Sequence, residues 1–260
     1  MKLIDTHCHI HEAEFFSPEQ QLEVYDAARA SDIGMVCVAT SEAASTEAIN
    51  FATSHDDSWA VVGVHPHETD HGWAGIGQLL STHRSDVVGI GEIGLDYFYM
   101  NAPRETQIAA LEQQLQWAVD YTLPVSFHVR DTTSRENVSV WDDFWPIFDN
   151  FSGITGVMHS FTDTSSQLES ALSRGLFIGV NGISTFTKST AQQAMFASIP
   201  LEKLLLETDA PFLTPAPFRG RMNQPSFVGR VAEHMATVHG VSLDLVSTTT
   251  TANARGLFSI

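Results

Sequence analysis

Eight short apolar runs recur along the chain, each followed by polar residues and then by an amphipathic stretch, and this alternation limits the fold more than any other feature. The runs lie at 2–4, 35–39, 60–64, 87–90, 125–127, 154–158, 176–180 and 203–206. They lack the apolar–polar alternation of a sheet with one wet face, so they read as strands of a parallel sheet buried on both sides. Helices are predicted at 18–30, 42–53, 73–83, 104–121, 140–151, 164–174, 190–197, 227–239 and 243–258. The clearest is 104–121, where Ile108, Leu111, Leu115, Ala118 and Val119 follow helical spacing and Pro103 is expected in the first turn. Eight βα units predict an α/β fold of the closed (β/α)8 TIM-barrel type. The competing open doubly wound sheet would need a GxGxxG-type turn after its first strand, and none is there. A chain of 260 residues suits one barrel, so 1–260 is read as a single domain.

Composition narrows the function. With 13 Lys+Arg against 31 Asp+Glu the formal charge is −18, which excludes coating duplex DNA through many phosphate contacts. Any nucleic-acid chemistry must use a local site, with metal ions supplying positive charge. No apolar run approaches the ~20 residues of a membrane span. The start, from Met1 to His7, has no apolar export core, and the two cysteines, Cys8 and Cys37, suit a reducing compartment. A cytoplasmic protein is expected. Trp117, Trp141 and Trp145 fall in predicted helices and are assigned to packing.

Ionisable residues sit at the ends of these runs: His7 and His9, His65 and His67, Glu92, His128, His159 and Asp209. In a parallel barrel all strand carboxyl ends share one face, so these scattered positions converge there. His7 and His9, two apart on a strand, point the same way, with Cys8 opposite. Taken singly, a histidine at a strand end is more often a satisfied structural residue; convergence reverses that. Four histidines (His7, His9, His128, His159) with Glu92 and Asp209 exceed the three protein ligands of one catalytic zinc, which implies two metals, and Glu92 suits a bridge between them. A bridging carboxylated lysine is disfavoured, because the only lysines are Lys2, Lys188 and Lys203 and none ends the fourth or fifth run.

Taken together, Asp5-Thr6-His7-Cys8-His9, Gly63-Val64-His65-Pro66-His67, Gly91-Glu92-Ile93-Gly94-Leu95-Asp96-Tyr97, His128-Val129-Arg130, His159-Ser160-Phe161 and Glu207-Thr208-Asp209-Ala210-Pro211-Phe212 resemble a TatD-type metal-dependent deoxyribonuclease of the amidohydrolase-like barrel superfamily. The resemblance spans the whole chain. It implies a first metal held by His7, His9, Glu92 and Asp209 and a second held by Glu92, His128 and His159. It departs at His159-Ser160-Phe161-Thr162-Asp163, where His-Cys-Phe-Ser-Gly is usual, and at Asn223-Gln224-Pro225, where Asn-Glu-Pro is usual. Asp163 adds a charge and Gln224 removes one, which bears on substrate preference more than on metal binding.

The expected reaction is phosphodiester hydrolysis of DNA at single-stranded or 3′ ends, with two divalent cations (Zn, Mn or Mg). Asp209 would orient or deprotonate the attacking water; a helix-capping role before Pro211 is its plainer reading. Glu92 is the second catalytic carboxylate. His65, His67, Arg130 and Asn223 are the candidate substrate contacts, Arg130 through paired hydrogen bonds to phosphate or, alternatively, in a salt bridge to Asp131 or Glu92. Arg219 and Arg221 are loop candidates, and Trp73 with Tyr97-Phe98-Tyr99 could stack on unpaired bases. The same ions would also serve an ester, lactone or aminoacyl-RNA hydrolase, and a metal-binding scaffold without turnover is a third reading. A monomer without membrane association is compatible with the sequence.

Overall fold

The computed structural model describes residues 2–132 and 138–260. Among these, eight strands form one sheet in the order β1 to β8: β1 Leu3–Cys8, β2 Ile33–Val38, β3 Ser58–Val62, β4 Val87–Asp96, β5 Val125–Arg130, β6 Gly156–Met158, β7 Phe177–Val180 and β8 Leu204–Leu206. The helices are α1 Pro18–Ala30, α2 Glu42–Ser54, α3 Ala74–Thr82, α4 Arg104–Tyr121, α5 Val140–Asp149, α6 Ser165–Ser173, α7 Thr190–Ser198, α8 Val228–His239 and α9 Leu243–Phe258. The registered pairs are parallel. First and last strands also meet: Thr6 Oγ1 donates to the Leu206 carbonyl and Cys8 bridges Ala210. A parallel sheet in sequence order whose ends pair is a (β/α)8 barrel.

Contacts group the chain into two compact units: one of 1–37, 55–58 and 157–260, the other of 38–54 and 59–156. In the first, α1 starts at a capping box, in which the Ser17 side chain accepts from the Gln20 amide while the Gln20 side chain accepts from Ser17 N, with Pro18 at the first helical position. The helix α9 begins on Ser242, whose side chain accepts from the Leu245 amide. Cys8 and Cys37 are buried, unbridged register partners on β1 and β2, and Cys8 Sγ donates to the Val36 carbonyl, on the side opposite to the histidines as the alternation predicts.

In the second unit, β4 and β5 pack so closely that a Cβ on Gly94 would stand 1.7 Å from the His128 carbonyl oxygen, with φ at +154°. Only glycine fits there, and Glu92 is thereby carried next to β5. The helix α4 matches the predicted bounds, but Pro103 lies just outside it: its ψ of 143° is extended, so the first turn begins one residue later than expected. Helix α5 ends at Asp149, two residues early, and tolerates Pro146 in its interior. Its apolar stripe explains why: Phe144 and Phe148 pack edge-on to Phe127 of β5 at 5.3 and 5.8 Å, and Trp141 stacks on Trp145 at 5.3 Å. Aromatic pairs of this kind contribute about 0.5–1.5 kcal/mol each beyond area burial. Trp117 is half-buried against Gly77 of α3, so the three tryptophans pack as expected.

Candidate metal centre

The first unit builds a cluster from β1 and the end of β8. His7 lies inside β1 and His9 just beyond it, because the strand runs to Cys8 rather than stopping at Ile4. Their Nε2 atoms are 3.3 Å apart. The His159 ring, just after β6, stacks on His7 at 3.4 Å. Asp209, in a left-handed conformation (φ +60°), presents Oδ1 at 3.2 Å from His9 Nε2, 3.6 Å from His159 Nε2 and 3.8 Å from His7 Nε2. Its carboxylate faces imidazoles, and no helix starts there, so the capping alternative does not hold. Burial opposes the charge on Asp209, yet the neighbouring His159 charge and the His9 hydrogen bond hold it below the usual carboxylate range.

Behind the rings stand carboxylates for which the sequence reading had no role. Glu12 Oε1 is 3.3 Å from His9 Nδ1, and Glu207 Oε1 is 3.0 Å from His159 Nδ1 while also accepting from Ser160 N at 2.7 Å. Such outer carboxylates fix a ligand's tautomer and aim its other nitrogen at the metal. Asp5 is wholly buried, takes the Thr208 amide at 2.8 Å and the Thr208 hydroxyl at 2.5 Å, and so ties β1 to the segment carrying Asp209. Burial pushes the Asp5 carboxyl up despite those bonds.

The second unit assembles a different cluster. Glu92, inside β4 rather than at its end, puts Oε1 at 2.8 Å from His128 Nδ1 and 3.7 Å from His65 Nε2. His128 Nε2 lies 3.0 Å from Asp96 Oδ2, which also contacts His67 Nε2 at 2.9 Å. Burial works against a charged His128, but the hydrogen bonds to Asp96 and Glu92 outweigh it and raise its pKa to about 9. Burial likewise opposes the charge on Asp96, yet those histidines and its turn amides hold it well below the carboxylate range. His65 moves the other way: burial and the neighbouring His128 charge depress it. His65 Nδ1 accepts the His67 amide at 3.1 Å.

Among the described residues each unit holds a set of three ligand atoms that lie within 4.8 Å of one another: His7, His159 and Asp209 in the first unit, and His65, Glu92 and His128 in the second. The donors fit borderline divalent cations, imidazole nitrogen with carboxylate oxygen. His159 keeps company with His7 and Asp209, and His65, expected to touch substrate, stands at ligand distance. Asp96 lies beyond the predicted run 87–90, and nothing in the sequence marks it as a strand end; the strand in fact continues to it.

The Arg130 guanidinium lies over the Phe98 and Tyr99 rings at 4.3 and 4.7 Å. Asn223 is buried and its amide donates to the Thr208 carbonyl at 2.8 Å and the Phe212 carbonyl at 2.5 Å, so its donors brace the loop holding Asp209. Gln224 bonds Ser226. Arg219 sits over Phe186 at 3.9 Å, Arg221 is exposed beside Phe218, and Trp73 is half-buried before α3.

A parallel barrel whose strand ends carry histidines and carboxylates, backed by further carboxylates, defines a metal-dependent hydrolase. The family model described as TatD related DNase matches residues 4–259, and the chain belongs to that family. It is 32% identical over 265 residues to the uncharacterized metal-dependent hydrolase YabD of Bacillus subtilis (strain 168), covering 99% of each chain. It is 35% identical over 254 residues to the 3′-5′ ssDNA/RNA exonuclease TatD of Rahnella sp. (strain Y9602), covering 93% of each. Among solved structures, that of YJJV, a TatD homolog from Escherichia coli K12, superposes with a TM-score of 0.88 at 27% identity, covering 100% of this chain and 98% of that one. Among the described residues no helix is long and apolar enough to cross a membrane.

Proposed function

We infer that this chain is a 3′-5′ exonuclease acting on single-stranded or terminal DNA, with two divalent cations held by His7, His9, Glu92, His128, His159 and Asp209. The observation that carries the reading is the pair of ligand sets, each backed by carboxylates on the far side of its rings. Support for a single domain of 1–260 comes from the strand order, since all eight strands run in sequence through one sheet. The imidazole content favours zinc or manganese over magnesium. When bound, the cations supply an activated water and stabilise charge on the departing oxygen.

The chain's own groups do the rest. Glu92 offers its carboxylate beside His65 and His128, and Asp209 orients the attacking water and accepts its proton on the carboxylate. Arg130, with His65 and His67, receives the phosphate, while Asn223 keeps the Asp209 loop in place. The charge of −18 favours substrates that engage few phosphates at once, hence strand ends rather than duplex interiors, with a shallow salt dependence. Buried, unbridged Cys8 and Cys37 support a reducing, cytoplasmic setting, and a monomer suffices for the site.

The test is incubation of metal-reconstituted protein with end-labelled single-stranded DNA and, in parallel, with a panel of carboxylic esters and lactones. Release of mononucleotides from the 3′ end, abolished in Asp209→Ala, is the expected result. Turnover of esters alone would replace this reading with carbonyl hydrolysis.

A further inference from the structure

One polar residue joins the second ligand set to an exposed aromatic surface. Asp96, the last residue of β4, is fully buried. Its Oδ2 contacts His67 and His128, and its Oδ1 accepts the amides of Phe98 and Tyr99 at 2.9 and 2.8 Å. From α4, Gln107 clamps the backbone of Asp96 on both sides, accepting its amide at 2.8 Å and donating to its carbonyl at 3.3 Å. The turn held in this way projects Phe98 and Tyr99 into solvent, 42% and 54% exposed. Large aromatic rings so exposed, edge to face at 4.8 Å, bury little and stabilise the fold little. Arg130, the register partner of Asp96 on β5, lies across both rings, and Tyr99 meets His67 edge-on at 5.5 Å.

We propose that Phe98, Tyr99 and Arg130 form the platform for the terminal nucleotide of the substrate strand, and that Asp96 is the positioning residue joining that platform to His128. The proposal rests on the nuclease reading and adds the determinant of its preference for unpaired ends. A base in a duplex is stacked on its neighbours and cannot lie on these rings; a frayed or single-stranded terminal base can, whatever its identity, because every base has a π face. The guanidinium is immobilised by the rings below it and so offers its N–H edge to the adjoining phosphate at small entropic cost. Phosphate capture and base stacking then occur on one surface, whose turn is anchored to the carboxylate that also orients His128.

The experiment uses the full-length, metal-loaded protein and a short single-stranded oligonucleotide with 2-aminopurine at its 3′ end and a slowly cleaved phosphorothioate terminal linkage. Wild type quenches the fluorophore on binding. Tyr99→Leu and Phe98→Leu, both at exposed positions, abolish the quenching and weaken binding about tenfold. An oligonucleotide ending in an abasic sugar binds wild type and Tyr99→Leu equally, whereas Arg130→Gln weakens both oligonucleotides alike. Asp96→Asn keeps an oxygen for the turn amides but loses the acceptor facing His128, so quenching survives while affinity for one cation falls about 10–100-fold. In Asp96→Ala both are lost. Unchanged quenching and affinity in Tyr99→Leu would overturn the platform while leaving the nuclease intact. An equal loss for the abasic strand would reduce the rings to a structural role and overturn it as well. Failure of folded wild type to bind any single strand would overturn the nuclease reading and the platform together.

Discussion

The two ligand sets are made of the same side chains arranged in opposite orders. In the first, the rings of His7, His9 and His159 turn their Nε2 atoms toward one oxygen of Asp209, and the other carboxylates, Glu12 and Glu207, stand behind them on the Nδ1 side. In the second, carboxylates alternate with rings: His128 is spanned by Glu92 on Nδ1 and Asp96 on Nε2, and His67 ends on the same Asp96 oxygen. The first arrangement gathers nitrogen donors around a point. The second satisfies itself through ion pairs, and the hydrogen bonds to Asp96 and Glu92 outweigh burial and raise the pKa of its central imidazole to about 9. Each set thus holds one ring between two carboxylates, His9 between Asp209 and Glu12 and His128 between Asp96 and Glu92, and the pKa of both is raised against the burial that opposes their charge.

Five measurements test what each set does. The largest effect belongs to Asp209→Asn: turnover of labelled single-stranded DNA falls about 10³-fold, since the residue acts as both ligand and proton acceptor. Retention of activity would remove the first set from the chemistry. Next, His128→Ala lowers the metal stoichiometry by one equivalent, read by plasma mass spectrometry after dialysis, with affinity at that set falling more than about 100-fold. An unchanged stoichiometry would mean that the alternating set binds no cation.

Smaller losses follow behind the rings. Glu207→Gln and Glu12→Gln weaken metal affinity by about 10–100-fold, measured by competition with a chromophoric chelator, because the amides no longer hold His159 and His9 in the required tautomer. The smallest effect is a slope. Because a bound cation displaces the His128 proton, affinity at the second set rises about tenfold per pH unit and levels off near the His128 pKa of about 9. The metal-free protein shows the converse. A histidine raised from 6.5 to about 9 stabilises the fold fully below the unfolded value, and the contribution is lost as pH climbs through the folded one. The melting temperature of the metal-free chain should therefore decline across that window, and the decline should vanish in His128→Gln.

Much of this was legible in the residues themselves. Among the described residues each of the eight strands overlaps a predicted apolar run and each of the nine α-helices a predicted amphipathic stretch, although β1 and β4 run on to Cys8 and Asp96, because a parallel sheet covered on both faces leaves continuous apolar runs. The ligand candidates were legible for a related reason: histidines and acids at the ends of such runs have no packing role to hide in. Glu12, Glu207 and Asp96 were not, since each is one acid in a chain carrying 31 acidic residues. Their roles depend on an atom-to-atom approach, such as the 3.0 Å between Glu207 and His159, that spacing does not encode. Asn223 shows the same limit. A buried amide with both donors spent on backbone carbonyls looks identical in sequence to one that faces a substrate.

The order of apolar runs determined the barrel, and the types of side chain at their ends determined that cations and hydrolysis belong there, because burial period and donor chemistry are properties of a linear string. Only tertiary structure decided which histidine stands beside which acid, that His65 joins Glu92 and His128, and that His159 stacks on His7. Those pairings follow from strand twist, from the glycine that lets β4 lie against β5, and from the side of each ring a carboxylate reaches. They are distances of a few ångströms between residues up to some 200 positions apart, as in the contact between His9 and Asp209.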